Sequence, residues 1–507
     1  MTEPVHVLPD DNYNRELVNN VHPENWKNPK PAPVYNLVVI GGGTAGLVSA
    51  AGAAGLGAKT ALIERNLMGG DCLNFGCVPS KAVIRSARVM AENSAAEKYG
   101  IGAPGGGSAD FGKVMKRMRA LRAEISAHDS AARFSAKLGI DVFLGDARFA
   151  GNNTIETGGK ILKFKKAVIA SGARPAVPSV EGLAEAGFLT NETVFSLTEL
   201  PGKLAVIGGG PIGCELAQVF ARLGSEVTII DRNAHFLPRE DEDAAKILED
   251  VFARENIRII SDADVQNVTV SGGKKTIGVV SSGESLSVEA DEILVGAGRI
   301  PNVDGLNLEA AGVEYDARRG VIVNDGLRTA NPRIYAAGDI CSQYKFTHTA
   351  DAMARIVIQN ALFMGRARMS ALTIPWCTYT DPEIAHVGMY ESEAEKKGIG
   401  VETIIRHLKD VDRAVLDSEA EGFVKIHVKK GTDTIVGATI VASHAGDMIS
   451  EITTAIVGNI GLKKLSGTIH PYPTQAEAIK QAGDEFNRSR LTPRVKKVFE
   501  TWFRWSR

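Results

Sequence analysis

At 507 residues the chain is too long for one hydrophobic core, so two to four domains are expected. With 44% hydrophobic and 23% charged residues and a formal charge of −2, it has no overall basic excess to draw it to nucleic acid or to an anionic membrane. Five cysteines, odd in number and sparse, argue against a secreted disulfide scaffold and for a reducing, cytoplasmic compartment.

Residues 1–34 read as an N-terminal extension, opening on the acidic MTEPVHVLPDDNYN without the basic start and apolar run of a signal peptide. The next segment, LVVIGGGTAGLVSAAGAAGLGA, carries no charge over 22 positions and has the length of a bilayer span. Three glycines directly after Leu37-Val38-Val39-Ile40 predict instead a strand and a tight turn in a soluble domain. The same unit recurs: LVVIGGGTAGLVSAAGAAGLGAKTALIER from Leu37 and LAVIGGGPIGCELAQVFARLGSEVTIIDR from Leu204 align without a gap at an offset of 167. Each predicts a strand, a G-x-G-x-x-G turn (Gly41, Gly43 and Gly46; Gly208, Gly210 and Gly213), a helix, a second strand and an acidic residue. The pattern is that of dinucleotide binding. The first glycine makes the turn, the second admits a pyrophosphate, and the third lets helix pack on strand. Glu64 and Asp231, each 18 residues past the last glycine, are placed to hydrogen-bond a ribose hydroxyl.

Between the two units stands GGDCLNFGCVPSKA, residues 69–82, with Cys72 and Cys77 five positions apart. In a straight helix such residues lie at least ~7.5 Å apart along the axis. A disulfide needs Cα atoms within roughly 4.4–6.8 Å. Either these thiols never meet or the backbone bends, and a redox pair, a zinc half-site and inert core cysteines all remain open. After each unit comes a second echo, KAVIASGARPAVPSVEGL (166–183) and DEILVGAGRIPNVDGL (291–306), a strand, a glycine turn at Gly172 or Gly298, an arginine and a proline. YAAGD (335–339) reads as a return strand ending at Gly338 and Asp339, beside a cofactor. From 371 onward, strand-like GFVKIHVKK and TIVGATIVA alternate with the helical DMISEITTAIVGNIG, which predicts an α+β domain. Finally, PRVKKVFETWFRWSR interleaves Val495, Val498, Phe499, Trp502 and Phe503 with five basic residues. Such a stripe lies on a membrane surface or packs on its own protein or a partner subunit.

GGDCLNFGCVPSKA together with GGGTAG, GGGPIGCE, GAGRIPN, YAAGD, YTDPEIAHVG and HPYPTQAE resembles the flavin-dependent pyridine nucleotide–disulfide oxidoreductases, in order from about Tyr35 to Asn487. That family includes dihydrolipoamide dehydrogenase, glutathione reductase and mercuric reductase. The resemblance implies an α/β fold with two Rossmann-like domains, the NAD(P) domain inserted in the FAD domain, and a C-terminal α+β dimerisation domain. The implied boundaries are 35–175 and 301–370 for FAD, 176–300 for NAD(P), 371–490 for dimerisation and 491–507 for the basic aromatic tail. It also implies a homodimer in which Cys72 and Cys77 form a redox disulfide in a distorted first helical turn, where Gly76 and Pro79 would break ideal geometry. Cys72 would meet the acceptor and Cys77 would lie against the flavin as a thiolate, its pKa lowered by the helix start and a nearby cation. Lys81 and Glu215 would pair beside flavin and nicotinamide. Glu64 would hold the FAD adenosine ribose and Asp339 the ribityl chain. Asp231 disfavours a 2′-phosphate and points to NADH. Arg232 argues for NADPH only weakly, since Arg65 holds the same place in the FAD unit.

The disulfide reductases carry H-x-H-P-T-x-x-E, whose second histidine, held by the glutamate, shuttles protons to the interchange thiol. Here that position is Tyr472, with Glu477 at the end of the motif. Tyrosine, with an ordinary pKa near ~10, is a poor base at neutral pH. It is also what mercuric reductases carry there, so the resemblance leans to Hg(II) as a substrate ligated transiently by Cys72 and Cys77, with no structural metal. No cysteine follows Cys377 and none lies in 1–34, unlike typical mercuric reductases. A dihydrolipoamide dehydrogenase or related disulfide reductase, and a non-catalytic flavoprotein that binds a partner, are the rival expectations.

Overall fold

A computed structural model describes residues 5–102 and 108–507; the first four residues of the extension lie outside that range. The chain divides into two units, Met1–Ala234 with Glu255–Leu372, and His235–Arg254 with Thr373–Arg507.

In the first unit, strand Tyr35–Ile40 pairs in parallel with Thr60–Glu64 on one side and with the second half of Lys160–Ile169 on the other. Asp141–Leu144 adds beyond Thr60–Glu64, and Ile334–Ala336 adds beyond Lys160–Ile169, also in parallel. Leu37, Val38 and Val39 are fully buried, as a parallel strand covered on both faces requires. The uncharged run from 37 is therefore a strand followed by the helix Thr44–Gly55. No helix among the described residues is long and apolar enough to cross a membrane. The small residues of that helix admit the neighbouring helix Thr347–Leu362: a Cβ on Gly52 would stand 2.5 Å from Ile358 Cδ1.

The repeat in sequence is a repeat in topology. Arg258–Ile260, Glu226–Ile230, Lys203–Ile207 and Glu292–Val295 form a second parallel sheet. Both sheets take the order third, second, first, fourth along their own unit, that of a mononucleotide-binding half. The two later echoes meet directly, since Ala173–Pro175 pairs antiparallel with Arg299–Pro301.

The extension is woven into this unit. Asp11 caps the helix Asn12–Val21 by accepting from Asn14 N–H at 2.9 Å, and Leu17 and Val21 are fully buried in the core that contains Leu37 and Val39. At the outer strand of the first sheet, Trp26 Nε1 donates to Val142 O at 3.1 Å. Asn28 donates from Nδ2 to Leu144 O at 2.9 Å and accepts from Leu144 N–H at 2.8 Å.

The second unit is built on a five-stranded antiparallel sheet in the order Pro375–Thr378, Glu383–Gly388, Ile435–Ala442, Phe423–Lys429, Val401–His407. Helices Ala445–Val457 and Glu477–Ser489 supply Ile449, Ile452, Ile479 and Phe486 to its core. Residues His235–Arg254, expected inside the 176–300 segment, pack with this unit instead. The reason is polar as well as apolar. Glu240 accepts from Trp376 Nε1 at 3.1 Å and Tyr390 OH at 2.8 Å, and the buried Lys425 reaches Asp241 and Asp243 at 3.1 and 2.7 Å.

Candidate active site

Each parallel sheet ends in a glycine turn that side chains would close. Gly41 and Gly208 have φ of +103° and +110°, and a Cβ on either would strike the backbone of the adjoining strand end, Ala170 or Gly296. A Cβ on Gly46 would overlap the Gly41 carbonyl, and one on Gly213 the Gly208 carbonyl. At Gly43 a Cβ would find its nearest neighbour 3.7 Å away, and at Gly210 nothing within 4 Å, which leaves the helix N-termini after them open to a phosphate. The middle glycines, Gly42 and Gly209, were not singled out by the motif. Gly42 N–H donates to Glu64 Oε2, and a Cβ on Gly209 would lie 2.6 Å from Asp231 Oδ2. The signal was present in sequence as the middle glycine of each GGG.

Glu64 and Asp231 are both buried at strand ends. Burial pushes the Glu64 carboxyl above its usual range, against the lowering hydrogen bonds from Gly42 N–H and Asn66 N–H. Asp231 accepts from the side chain and backbone of Asn233 at 2.9 and 3.2 Å. Gly172 and Gly298, at φ of +68° and +111°, have open space where a Cβ would stand.

The cysteines meet because the helix between them is broken. Cys72 lies in the short helix Gly70–Asn74, Phe75 and Gly76 leave helical geometry, and a new helix runs from Cys77 to Ser94. Gly76 has φ −124° and ψ −114°, and a Cβ there would sit 2.9 Å from Asp71 O. Pro79, expected to share in the break, does not: it is the third residue of the new helix, where a missing N–H costs no intrahelical bond. Both sulfurs are free thiols, hydrogen-bonded to each other, and Cys77 Sγ also lies 3.3 Å from Thr347 Oγ1. The hydrogen bond from Cys72 pulls the Cys77 thiol down to about 6, with Thr347 and the charge of Lys81 acting in the same direction. Its place at a helix N-terminus adds to that. The Cys72 thiol is driven up by the same hydrogen bond and by burial.

Lys81, one turn beyond Cys77, pairs with Glu215 Oε2 at 2.8 Å, and Glu215 is 6% exposed. Asp339 follows Gly338, whose φ is +85°. Burial raises the Asp339 carboxyl while Arg299 opposes. Arg299 stands between two carboxylates, with Nη1 3.2 Å from Asp71 Oδ2 and Nε 3.4 Å from Asp339 Oδ2, and its buried Nε has no well-formed hydrogen bond. Glycine turns at Gly41, Gly46, Gly208 and Gly213 without room for a side chain, a buried carboxylate at each strand end, and the unsatisfied Arg299 Nε beside Asp339 fit two dinucleotides, one of them against the cysteine helix.

Behind the cysteines lies a support that the motifs did not reveal. Arg122 is buried and donates to Asn74 O and to Asn14 Oδ1, both at 2.7 Å. Asn74 in turn donates to Met68 O at 3.1 Å and Gly70 O at 2.8 Å. Arg119 pairs with Asp11 at 2.6 Å, and His22 Nδ1 contacts Asn66 O. The extension thus holds the turn between the two cysteines.

Tyr472 and Glu477 belong to the second unit. Tyr472 is 70% exposed and donates to Asp412 Oδ2 at 2.9 Å, which raises its hydroxyl pKa further; Glu477 opens the helix Glu477–Ser489. His470 lies against Glu451 at 3.0 Å. Cys214, Cys341 and Cys377 stand apart from the pair. Burial pushes the first two thiols up, Cys341 to about 12.

Two dinucleotide sheets and a paired thiol at a helix start define a redox protein that relays electrons from one nucleotide to another and then to sulfur. The chain belongs to the pyridine nucleotide-disulphide oxidoreductases: the family's profile matches residues 35–354, and that of its dimerisation domain matches 374–483. It is an FAD-dependent oxidoreductase of the class that uses NAD(P)H. It is 34% identical to a mercuric reductase of Staphylococcus aureus over 456 residues, 90% of this chain and 83% of the relative. It is equally 34% identical to a dihydrolipoyl dehydrogenase of Mycoplasma pneumoniae over 453 residues, 88% of this chain and 97% of the relative. Among solved structures, the HOCl-induced flavoprotein disulfide reductase RclA from Escherichia coli superposes with a TM-score of 0.79 at 27% identity, covering 89% of this chain and 99% of that one.

Proposed function

We propose that this chain reduces a thiol-reactive metal ion of the Hg(II) type, with NADH as the two-electron source. Residues 35–175 and 301–370 are assigned to FAD, 176–300 to the nicotinamide nucleotide and 371–490 to formation of a cytoplasmic homodimer. Gly41, Gly43 and Gly46 would seat the FAD pyrophosphate, Glu64 its adenosine ribose and Asp339 its ribityl hydroxyls. Gly208, Gly210 and Gly213 would seat the nicotinamide nucleotide, with Asp231 on its ribose, where its negative charge would disfavour a 2′-phosphate. When bound, FAD supplies the two-electron relay between nicotinamide and the cysteine pair.

The chain's own residues set up the thiols. In the reduced pair Cys77 holds the negative charge at neutral pH, favoured by Lys81, whose ammonium is kept in place by Glu215. Cys72 keeps its proton until a metal ion displaces it. With the Cys72 proton released to solvent, both sulfurs would ligate Hg(II); the metal would take the two electrons that originate in NADH and leave as Hg(0), and the two sulfurs would remain reduced.

The observation that carries this reading is Tyr472. A disulfide substrate needs a base to move a proton to and from the interchange thiol. Tyr472 stands where the disulfide reductases place histidine, and its hydrogen bond to Asp412 makes it a still weaker acid and no base at neutral pH. A metal ion needs no such proton shuttle. The test is steady-state oxidation of NADH and NADPH by the flavin-loaded enzyme with Hg(II) or Cu(II) in excess thiol, and separately with lipoamide. Metal-dependent turnover with slow lipoamide reduction is expected, and Tyr472→His should raise lipoamide turnover by about a hundredfold. Absence of metal-dependent turnover from an enzyme with a normal flavin spectrum would reject the metal. Fast lipoamide turnover by the unaltered enzyme would hand the site to a disulfide.

A further inference from the structure

Helix Pro493–Trp505 is the largest feature that the redox site leaves unexplained. Thr492 caps it by accepting from Val495 N–H, and none of its residues is buried. With residues 100° apart around the axis, Val495, Val498, Phe499, Trp502, Phe503 and Trp505 share an arc of roughly 160° free of any charge. Phe499 lies beside Phe503 and Trp502 beside Trp505, with ring centroids 6.5 and 5.5 Å apart. Trp502 is 57% and Trp505 80% exposed. Four aromatic side chains on one face amount to an apolar patch of several hundred Å², on the order of the largest that soluble monomers show.

The opposite face is basic. Arg494, Lys496, Lys497 and Arg504 lie there with Glu500 as the one acid, and Arg507 follows the helix. Arg494 and Lys496 fall at the two borders of the apolar arc, where long stems can lie along an apolar medium while their charges stay in water. This local excess stands against a net −2 for the whole chain.

We propose that this helix lies flat on an anionic lipid bilayer, aromatic face in the acyl region and basic face among the headgroups. Three observations select lipid over the other occupants. Thirteen residues give a helix about 20 Å long, too short to cross ~30 Å of hydrocarbon but suited to lying in the interface. Tryptophan and phenylalanine flanked by arginine and lysine are the residues that settle at that depth. The match to the dimerisation domain covers 374–483 and does not include the helix.

The test uses the flavin-loaded full chain, sedimented with phosphatidylcholine vesicles and with vesicles containing phosphatidylglycerol at low salt. The protein should pellet with the anionic vesicles only, and its tryptophan emission should shift to the blue. Lys496→Glu with Lys497→Glu should weaken binding by about tenfold or more, since each basic residue near an anionic surface contributes independently. Trp502→Ser with Phe499→Ser, or removal of residues 493–507, should leave the protein in the supernatant with its reductase activity unchanged. Failure of the unaltered protein to pellet, equal binding to both vesicle types, or undiminished binding after removal of the helix overturns the proposal. So does conversion of a dimer to a monomer on removal, read by light scattering, which would give the face to a second copy.

Discussion

The two dinucleotide units share strand order, glycine turn and terminal acid, yet their surroundings differ. In the first, a Cβ on Gly70 would lie 2.6 Å from Gly43 Cα, so the cysteine segment closes directly over the phosphate turn. Glu64 is locked by two backbone N–H groups, and Arg122 and Asn14 tie the extension to the same segment. In the second, Gly210 faces open space and, among the described residues, the Asp231 carboxylate accepts from Asn233 alone. We infer that one motif serves two residence times: a nucleotide enclosed by later chain segments would stay, and one seated in an open turn would exchange.

The sharpest way to break this comparison is to spoil each turn separately. Gly46→Ala places a methyl on the Gly41 carbonyl and should yield protein without flavin, read as a missing visible spectrum after purification. Gly213→Ala meets the Gly208 carbonyl in the same way, but should keep its flavin and lose at least about a hundredfold in reduction by NADH. Loss of flavin from the second variant would show that the units do not bind independently.

Next in size is the charge on Cys77. In the reduced, flavin-loaded enzyme its thiolate should persist above pH about 6 and vanish below, because the folded-state pKa is depressed and protonation sets in as pH falls through it. Thiolate absorbance, followed across that range, reads this directly. Lys81→Met removes a cation that favours the thiolate and should move the midpoint up by about one unit. A midpoint unmoved in that variant would remove Lys81 from the explanation.

A smaller effect should follow from Arg122→Met, which strands Asn74 O and Asn14 Oδ1 in the interior. We expect a loss of about 3 kcal/mol in denaturant unfolding and faster flavin release, with NADH affinity unchanged. Equal damage to both nucleotide affinities would mean that the extension stabilises the whole unit rather than the first site.

What could be read from sequence and what could not follow one physical divide. The glycine turns, their acids and the cysteine spacing were legible because each is local chemistry within a few residues. The Arg299 cluster was not: Asp71, Asp339 and Arg299 come from three distant segments, and only the sheet order brings them together. The helix Asn12–Val21 has too few apolar residues to announce itself as core, though Leu17 and Val21 are fully buried. His235–Arg254 reads as part of the nicotinamide segment because it follows that unit's second strand, while its carboxylates find their partners past residue 373. Pro79 misleads because a proline inside a helical stretch reads as a breaker, whereas its position within the first turn is the deciding fact.

The amide of Asn28 bonds both ways with Leu144, doing for the outermost strand of the first sheet what a further strand would do. A shortened protein starting where the family profile begins, at Tyr35, would strip that cover and present the bare rim of a parallel sheet to any extended peptide. Sticky, self-templating material is the expected result of such trimming, even with every cofactor-binding residue intact.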